Sequence, residues 1–283
     1  MKQMMKLFIA SFLAMGIAIA GETAHTVQSD GAKIQYFDEG KGEVVVLLPG
    51  GSLNVAYLKP LADRLVKEGY RVIRINPRGA GESRNDKTSV SFHDLTEDVA
   101  KVIEHLDAGK VVVAGHAYGN RIARMLAAEH PELVKGVVLI VAGGKVPPTK
   151  EASAALKTLF DPKTTDAEYA EAMRYMVGNP KDIEVAGQAL KASRAPQAGA
   201  LQFKAASTSK VEDWWAPKGN VPYLVVQGGS DQAAPPKNGE LLKKDLGDRV
   251  TLVTLPDAGH LLLVTRPKEV ADAMVTFLKR LEK

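Results

Sequence analysis

Three short runs that are apolar at every position constrain the fold of this chain more than any other feature. They are VVVLL at 44–48, VVVAG at 111–115 and VVLIV at 137–141. A strand with one solvated face alternates apolar and polar residues, whereas a strand that is buried on both faces is apolar throughout. The three runs therefore predict a mostly parallel sheet with helices on both of its faces.

The remainder of the chain alternates strand and helix patterns, which is typical of an α/β fold. The predicted strands are Lys33–Phe37, Val44–Leu48, Arg71–Ile75, Val111–Val113, Val137–Val141, Tyr223–Val226 and Val250–Leu255. The predicted helices that pack on the sheet are Tyr57–Glu68, His93–Leu106, Asn120–Glu129, Lys237–Leu246 and Pro267–Leu281. In the last of these helices the apolar residues share one face, which indicates that it packs on the sheet.

One stretch, residues 145–220, interrupts the alternation and carries no strand pattern. Its helical patterns are Lys150–Phe160, Ala167–Val177 and Ile183–Ala192. We expect this stretch to form a helical cap over the carboxyl ends of the strands, inserted into a core made of residues 21–144 and 221–283. The stretch ends with Trp214 and Trp215, the only two tryptophans of the chain. Packing between cap and core is favoured over ligand contact for this pair.

The first twenty residues resemble a targeting segment. Lys2 and Lys6 precede the apolar run Leu7–Ala20, which ends in the small-residue pattern Ala18-Ile19-Ala20. This pattern predicts a signal peptide that is cleaved after Ala20, and a periplasmic or secreted protein without a stable membrane anchor. A membrane-spanning anchor is disfavoured because a span needs roughly 20 apolar residues. The chain has no cysteine, so neither a lipoprotein anchor nor a disulfide is possible.

Charge and motif content exclude several classes of partner. The 37 Lys and Arg residues and 33 Asp and Glu residues give a net charge of +4, spread along the chain without a basic run. Nucleic acid binding therefore has no support. No phosphate-binding glycine motif or H-E-x-x-H motif occurs, and His25, His93, His105 and His130 are scattered. We expect a small-molecule ligand or substrate, no metal and no cofactor.

The most informative segment is Val113–Gly119, which lies between a predicted buried strand and a predicted helix. It reads G-x-A-x-G from Gly115 to Gly119, with Ala117 at its centre. This is the pattern of the nucleophile elbow, G-x-S-x-G, with alanine in place of serine. The turn needs glycines because side chains at the flanking positions would collide with the neighbouring strand and helix. We expect His116 to pack beside the turn rather than to act as a base.

Two further motifs follow downstream at strand ends. Asp231 comes directly after one predicted strand and His260 after the last, so the order is elbow, acid and base. Alone, Asp231 could be a helix N-cap and His260 a turn residue, but the order favours a triad. Upstream, the loop after Val44–Leu48 places the N–H of Gly51 where it could bind an oxyanion together with the N–H of Tyr118.

These motifs resemble those of the α/β-hydrolase superfamily, and the turn Asn76–Ser83 resembles its D-x-R-G-x-G-x-S pattern. The similarity is to single-domain, cap-bearing esterases, C–C hydrolases, haloalkane dehalogenases and epoxide hydrolases, and it covers residues 32–283. It implies an α/β-hydrolase fold with Ser or Asp at the elbow. This chain departs from the pattern at Ala117, at Pro49 in place of histidine, and at Asn76 in place of aspartate. The last two are loop variations that the fold should tolerate.

The departure at Ala117 leaves three hypotheses for function, because a methyl group cannot attack a carbonyl carbon. In the first, the protein acts on a small ester-like or carbonyl substrate outside the cytoplasm, and His260 activates water or removes a proton. In the second, it is a non-catalytic ligand-binding pseudo-hydrolase. In the third, alanine is an engineered knock-out of a serine esterase. Ser52 and Ser230 are near the motifs but not on the elbow.

Overall fold

The structure is a computed structural model and describes residues 22–282. The predicted signal peptide, residues 1–20, lies outside the described residues. Within residues 22–282, no helix combines the length and the apolar character that a membrane crossing requires.

Nine strands of the described chain form one mixed sheet. They are β1 (Thr23–Ser29), β2 (Ala32–Gly40), β3 (Val44–Leu48), β4 (Arg71–Ile75), β5 (Arg84–Asn85), β6 (Val111–His116), β7 (Val134–Ile140), β8 (Tyr223–Gly228) and β9 (Val250–Leu255). The order across the sheet is β1-β2-β4-β3-β6-β7-β8-β9, and β5 pairs with β2. Strand β2 is antiparallel to its neighbours, whereas β4, β3 and β6 to β9 run parallel.

Helices cover both faces of this sheet. Those outside the β7–β8 connection are α1 (Lys59–Lys67), α2 (Phe92–His105), α3 (Gly119–Glu129), α9 (Lys237–Leu246), α10 (Leu262–Thr265) and α11 (Pro267–Leu281). Successive residues of β3 show why its sequence is apolar throughout. Val45 and Leu47 pack in one core cluster with α1 and α11, whereas Val46 and Leu48 pack in the other with α2 and α3. The predicted α/β fold, with a parallel sheet buried on both faces, is confirmed.

The predicted strands are all present; the two-residue strand β5 was missed, and so was β1. Its sequence, TAHTVQS, is mostly polar, and most of its residues are exposed at the edge of the sheet. An edge strand is held by backbone hydrogen bonds to a single neighbour, so it needs no apolar alternation. Strand β7 also begins at Val134, earlier than predicted, because Lys135 interrupts the apolar pattern there.

The connection between β7 and β8 contains five helices and, within the described residues, no strand of the sheet. They are α4 (Lys150–Phe160), α5 (Asp166–Met173), α6 (Ile183–Ala192), α7 (Pro196–Ser207) and α8 (Val211–Trp214). Helix α7 was missed because it buries small or polar residues such as Ala198 and Gln202, while Phe203 is 78% exposed. Trp214 and Trp215 are buried in the core cluster that contains α2 and α3, as the packing interpretation expects.

Candidate functional site

The elbow is a sharp turn between β6 and α3. Ala117 has φ of 48°, in the left-handed region that a residue with a side chain rarely adopts. Its N–H donates to the carbonyl of Ile140 in β7 (3.1 Å), and its carbonyl accepts from the N–H of Asn120 in α3 (3.1 Å). Such strain persists only where the surrounding structure enforces it, and it is common at functional sites. The turn that would present a nucleophile is therefore retained, although the residue on it has no nucleophilic atom.

The two elbow glycines are required by close backbone approaches. A Cβ atom on Gly115 would lie 2.3 Å from the carbonyl carbon and oxygen of Gly119 at the start of α3. A Cβ atom on Gly119 would lie 2.7 Å from the carbonyl oxygen of Leu48 at the end of β3. Neither neighbour can move without displacing a strand or a helix. The collisions expected from the sequence are therefore present, one with the helix and one with the strand.

Asp231 and His260 lie together at the same edge of the sheet, after β8 and β9. Nδ1 of His260 and Oδ2 of Asp231 are 2.9 Å apart. The other carboxylate oxygen of Asp231 accepts from the N–H groups of Ala233 and Ala234, both at 2.8 Å. Asp231 is therefore fixed as an acceptor, and it selects the tautomer of His260 that carries its proton on Nδ1. In that tautomer Nε2 is the basic nitrogen, and it makes no hydrogen bond within residues 22–282.

Two backbone N–H groups near Ala117 are also without a partner. Neither Gly51 nor Tyr118 donates a backbone hydrogen bond to another described residue. The two residues are adjacent, since a Cβ atom on Gly51 would lie 3.5 Å from Cβ of Tyr118. Both residues are partly buried and line the cavity, and a pair of N–H groups that face a cavity can stabilise a developing oxyanion. The loop after β3 and the start of α3 thus bring together the two predicted donors.

These groups share one cavity of about 320 Å³. The sheet edge contributes Gly51, Ala117, Tyr118 and His260 to its lining, and the helical segment between β7 and β8 contributes Leu156, Phe160, Met176 and Leu190. Most of the lining is apolar, as is usual for small-molecule sites. The predicted nucleophile position, base and oxyanion donors therefore all line one cavity, with Asp231 buried behind His260.

A second buried histidine joins the two halves of the site. The N–H of Gly50 donates to the hydroxyl oxygen of Tyr57 (2.7 Å), and that hydroxyl lies 2.9 Å from Nδ1 of His116. Nε2 of His116 lies 3.0 Å from the carbonyl oxygen of His260. A carbonyl only accepts, so Nε2 of His116 carries the proton and Nδ1 accepts from Tyr57. His116 therefore connects the loop of Gly51 to the loop of His260, and it does not act as a base.

His116 is neutral in the folded protein. Burial, and then the proximity of His260, lower the pKa of His116 from its ordinary value of 6.5 to about 3. Burial also raises the pKa of Tyr57, so its hydroxyl remains a donor. Both proton positions in this chain of hydrogen bonds are consequently fixed across the neutral pH range.

The lowered pKa of His116 predicts a loss of stability in acid. As the pH falls, the unfolded chain protonates this histidine near 6.5, while the folded chain resists protonation until about 3. Stability from this group is therefore complete above 6.5 and falls by up to about 1.4 kcal/mol per pH unit below it. The free energy of unfolding, measured with urea between pH 4 and 7, should show this slope against pH. The slope should be smaller in His116→Gln.

The matched control for this prediction is His93→Gln, because His93 is 70% exposed on α2. It removes a histidine without changing the buried chain of hydrogen bonds. An unchanged pH slope in His116→Gln, relative to the parent protein, would contradict the assignment of His116 as a buried neutral group.

Comparison with known proteins agrees with this geometry. A family model described as the alpha/beta hydrolase family matches residues 45–273, which include the elbow, Asp231 and His260. The chain belongs to this family. The fold class and the resemblance seen in the sequence are both confirmed at this level.

Individual relatives of this α/β hydrolase are distant. A Mycobacterium tuberculosis protein provisionally named non-heme bromoperoxidase BpoC is 27% identical over 267 residues, which cover 86% of this chain and 97% of the relative. The 2-(acetamidomethylene)succinate hydrolase of Mesorhizobium japonicum is 25% identical over 256 residues, which cover 85% of this chain and 90% of that enzyme. A solved esterase structure from Thermogutta terrifontis, with malate bound, matches with a TM-score of 0.77 at 21% identity, covering 92% of this chain and all of the other. That structural likeness supports the fold alone.

The other motif residues of this α/β hydrolase lie in structural roles. Asn76 is buried; its Oδ1 accepts from the N–H of Val55 (3.0 Å) and its Nδ2 donates to Oε1 of Gln35 (2.7 Å). Both polar atoms of this asparagine side chain therefore have a hydrogen-bond partner. Ser230 is exposed and its hydroxyl donates to the carbonyl of Pro256 (3.3 Å), away from the cavity. Ser52 does line the cavity, but it lies on the loop after β3 and not on the elbow.

Sequence reasoning missed two residues of the site. Tyr57 had no signal, because only the folded structure brings its hydroxyl to His116. Arg121 lines the cavity, and its position four residues after Ala117, one helical turn away, could have pointed to it.

The histidines are also less scattered than the sequence suggests. One ligand atom each from Glu97, Glu129 and His130 lie within 4.8 Å of one another, where α2 meets the end of α3. Nε2 of His130 is 2.5 Å from Oε1 of Glu97, and His93 pairs with Glu129. These pairs link the two helices.

Proposed function

We propose that this α/β hydrolase acts on a small ester-like or carbonyl substrate, with water in place of the missing serine and His260 as the general base. The observation that carries the proposal is the hydrogen-bonded pair of Asp231 and His260, held at 2.9 Å beside an elbow residue without a hydroxyl. The backbone N–H groups of Ala233 and Ala234 hold Asp231 in the orientation that fixes the tautomer of His260. A pair without a catalytic role would not need this orientation.

The reaction follows from the positions of these groups. In a serine hydrolase the histidine removes the proton of the elbow hydroxyl; here the methyl group of Ala117 leaves room for a water molecule at that place. Nε2 of His260 takes one proton from the water as its oxygen attacks the carbonyl carbon. Asp231 stabilises the resulting imidazolium, which then donates that proton to the leaving alcohol. The products are one acid and one alcohol.

The developing oxyanion is the second requirement. The N–H groups of Gly51 and Tyr118 have no other partner within the described chain, so they can bind it without breaking an existing bond. Donors of this kind contribute about 10²–10³-fold to the rate of acyl transfer. Without a covalent step we expect slow turnover, above the rate in water but well below that of a serine esterase.

The size and lining of the cavity support a small, mostly apolar substrate. Side chains of α4 and α6 line the cavity together with the sheet edge, which supports residues 145–220 as a cap. The relatives include the 2-(acetamidomethylene)succinate hydrolase, which supports hydrolysis as the reaction class.

The proposal places this reaction in the periplasm or outside the cell. The support is the sequence alone, in which two lysines precede an apolar run that ends at Ala20. Amino-terminal sequencing of the exported protein should begin at Gly21.

Replacing His260 with alanine tests the proposal. We expect any hydrolysis of short and medium acyl esters by the parent protein to fall by about 10²–10⁴-fold, which is the usual contribution of a general base. Release of p-nitrophenol from the ester panel measures it, and His25→Ala, on the edge strand β1, is the matched control. Hydrolysis that is unchanged in His260→Ala would overturn the role of this histidine.

The alternative is a ligand-binding pseudo-hydrolase, which the missing hydroxyl at Ala117 favours. It predicts saturable binding without product, and His260→Ala would then change affinity only.

A further inference from the structure

Arg121 is a cation without a counter-ion in the wall of the cavity. It is partly buried, it lines the cavity, and it makes no ion pair and no side-chain hydrogen bond with the described residues. Its guanidinium lies over two aromatic rings, 5.2 Å from the ring centre of Trp214 and 5.5 Å from that of Tyr118. Stacking of this kind holds the plane of the group but leaves its N–H donors free at the edges.

The neighbouring Arg124, in contrast to Arg121, has a structural role, because its N–H groups are bonded to the backbone. Its N–H groups donate to the carbonyl oxygens of Asn120 (3.2 Å), Gly143 (2.9 Å) and Trp215 (3.4 Å). It is fully buried, and the charge of Arg121 lies close enough to help lower its pKa. Two positive charges therefore lie together on α3, and no carboxylate of residues 22–282 pairs with either of them.

The partial burial of Arg121 favours an anion in the cavity. Burial lowers the pKa of Arg121 because the charged guanidinium loses part of its contact with water. The cavity wall offers it no acidic side chain, since the other residues of the lining are glycines, apolar residues, Ser52, Tyr118 and the two histidines. A buried charge is usually paired with an opposite charge, and a guanidinium binds a carboxylate through two parallel hydrogen bonds.

We propose that Arg121 binds a carboxylate of the ligand, so that the cavity takes a small apolar acid in which an ester or carbonyl group lies apart from the carboxylate. Arg121, on the first turn of α3, and Ala117, on the elbow that precedes this helix, line the same cavity. One small molecule can thus bind with its carboxylate at Arg121 and its ester or carbonyl group at the other end of the site. That end lies between His260 and the N–H groups of Gly51 and Tyr118. The position of the ester or carbonyl group at His260 rests on the proposed function, whereas the binding of the carboxylate at Arg121 does not.

The test compares an acid with its neutral isostere. Phenylacetate and phenylacetamide have nearly the same shape, and titration calorimetry measures both against the purified protein. We expect phenylacetate to bind at least 10-fold more tightly. Arg121→Gln should lower the affinity for phenylacetate by about 10- to 100-fold and change the affinity for phenylacetamide by less than 3-fold. Arg64→Gln, which removes a charge from a groove beside α11, is the matched control and should change neither.

A second variant covers the chance that Arg121→Gln fails to fold. Arg121→Lys keeps the charge but loses the planar pair of donors, so we expect it to keep part of the preference for the acid. Tryptophan fluorescence locates the binding, because Trp214 is stacked on Arg121 and should respond to phenylacetate.

Equal affinity for the acid and the amide in the parent protein would overturn the inference, and so would a preference that survives in Arg121→Gln. If phenylacetate depends on Arg121 while no ester is ever hydrolysed, the carboxylate site stands and the proposed catalysis fails. If neutral esters are hydrolysed as fast as acidic ones, the proposed catalysis stands and the carboxylate site at Arg121 fails.

Discussion

Replacing Ala117 with serine is expected to raise the rate of ester hydrolysis by about 10³-fold or more, because loss of the nucleophile from a working triad costs at least that much. The backbone at position 117 already has the left-handed φ of 48° that presents the side chain to the cavity. The base, its orienting carboxylate and two free N–H donors are already in place. Only an oxygen atom has to be added. Steady-state release of p-nitrophenol from short and medium acyl esters, in both proteins, measures the gain.

The control for this gain is Ala117→Gly, which changes the same position without adding a hydroxyl. It should leave the rate within a few-fold of the parent protein. If Ala117→Ser folds with the stability of the parent and yet hydrolyses no ester, the oxyanion site or the cap no longer supports acyl transfer. In that case the ligand-binding alternative would replace the proposed function.

The second large effect is expected from Asp231→Asn, made in the Ala117→Ser background. Oδ1 of Asp231 accepts two backbone hydrogen bonds and Oδ2 accepts from Nδ1 of His260. An asparagine that keeps its oxygen on the backbone N–H groups turns an NH₂ group towards His260. Nδ1 must then accept, the proton moves to Nε2, and the base is lost. We expect kcat to fall by about 10³–10⁴-fold, as the same change does in a serine protease triad.

Asp257→Asn is the matched control for that change, because Asp257 is an exposed carboxylate in the loop that leads to His260. It should have little effect on kcat. A fall of less than about 10-fold in Asp231→Asn would mean that His260 does not depend on Asp231 for its tautomer, against the geometry of the pair.

The sequence was sufficient for the fold class and for the chain order of the site, for identifiable physical reasons. Strands buried on both faces must be apolar throughout, and the elbow turn must have glycines where Gly115 and Gly119 approach backbone atoms. These are local requirements, so they leave a local pattern. The position of Asp231 and His260 follows from the parallel sheet, which brings its strand ends to one edge.

What the sequence did not reveal depends on tertiary contacts. The hydroxyl of Tyr57 contacts His116, which is 59 residues away in the sequence, and no sequence pattern predicts this contact. Arg121 resembles any surface arginine of an amphipathic helix until Trp214, from the segment between β7 and β8, is packed against it. Strand β1 was not predicted because an exposed edge strand needs no apolar residues.

We propose that the elbow, His260 and the oxyanion donors form a working hydrolase site from which only the nucleophilic oxygen is absent. Intact-mass measurement after treatment with a fluorophosphonate tests this most directly, because the reagent labels a serine only when a base and an oxyanion site activate it. We predict one phosphonyl group per chain of Ala117→Ser, located at position 117 by peptide mapping, and none on the parent protein or on Ala117→Ser with His260→Ala. A folded Ala117→Ser protein that remains unlabelled, or labelling that persists without His260, would contradict the account.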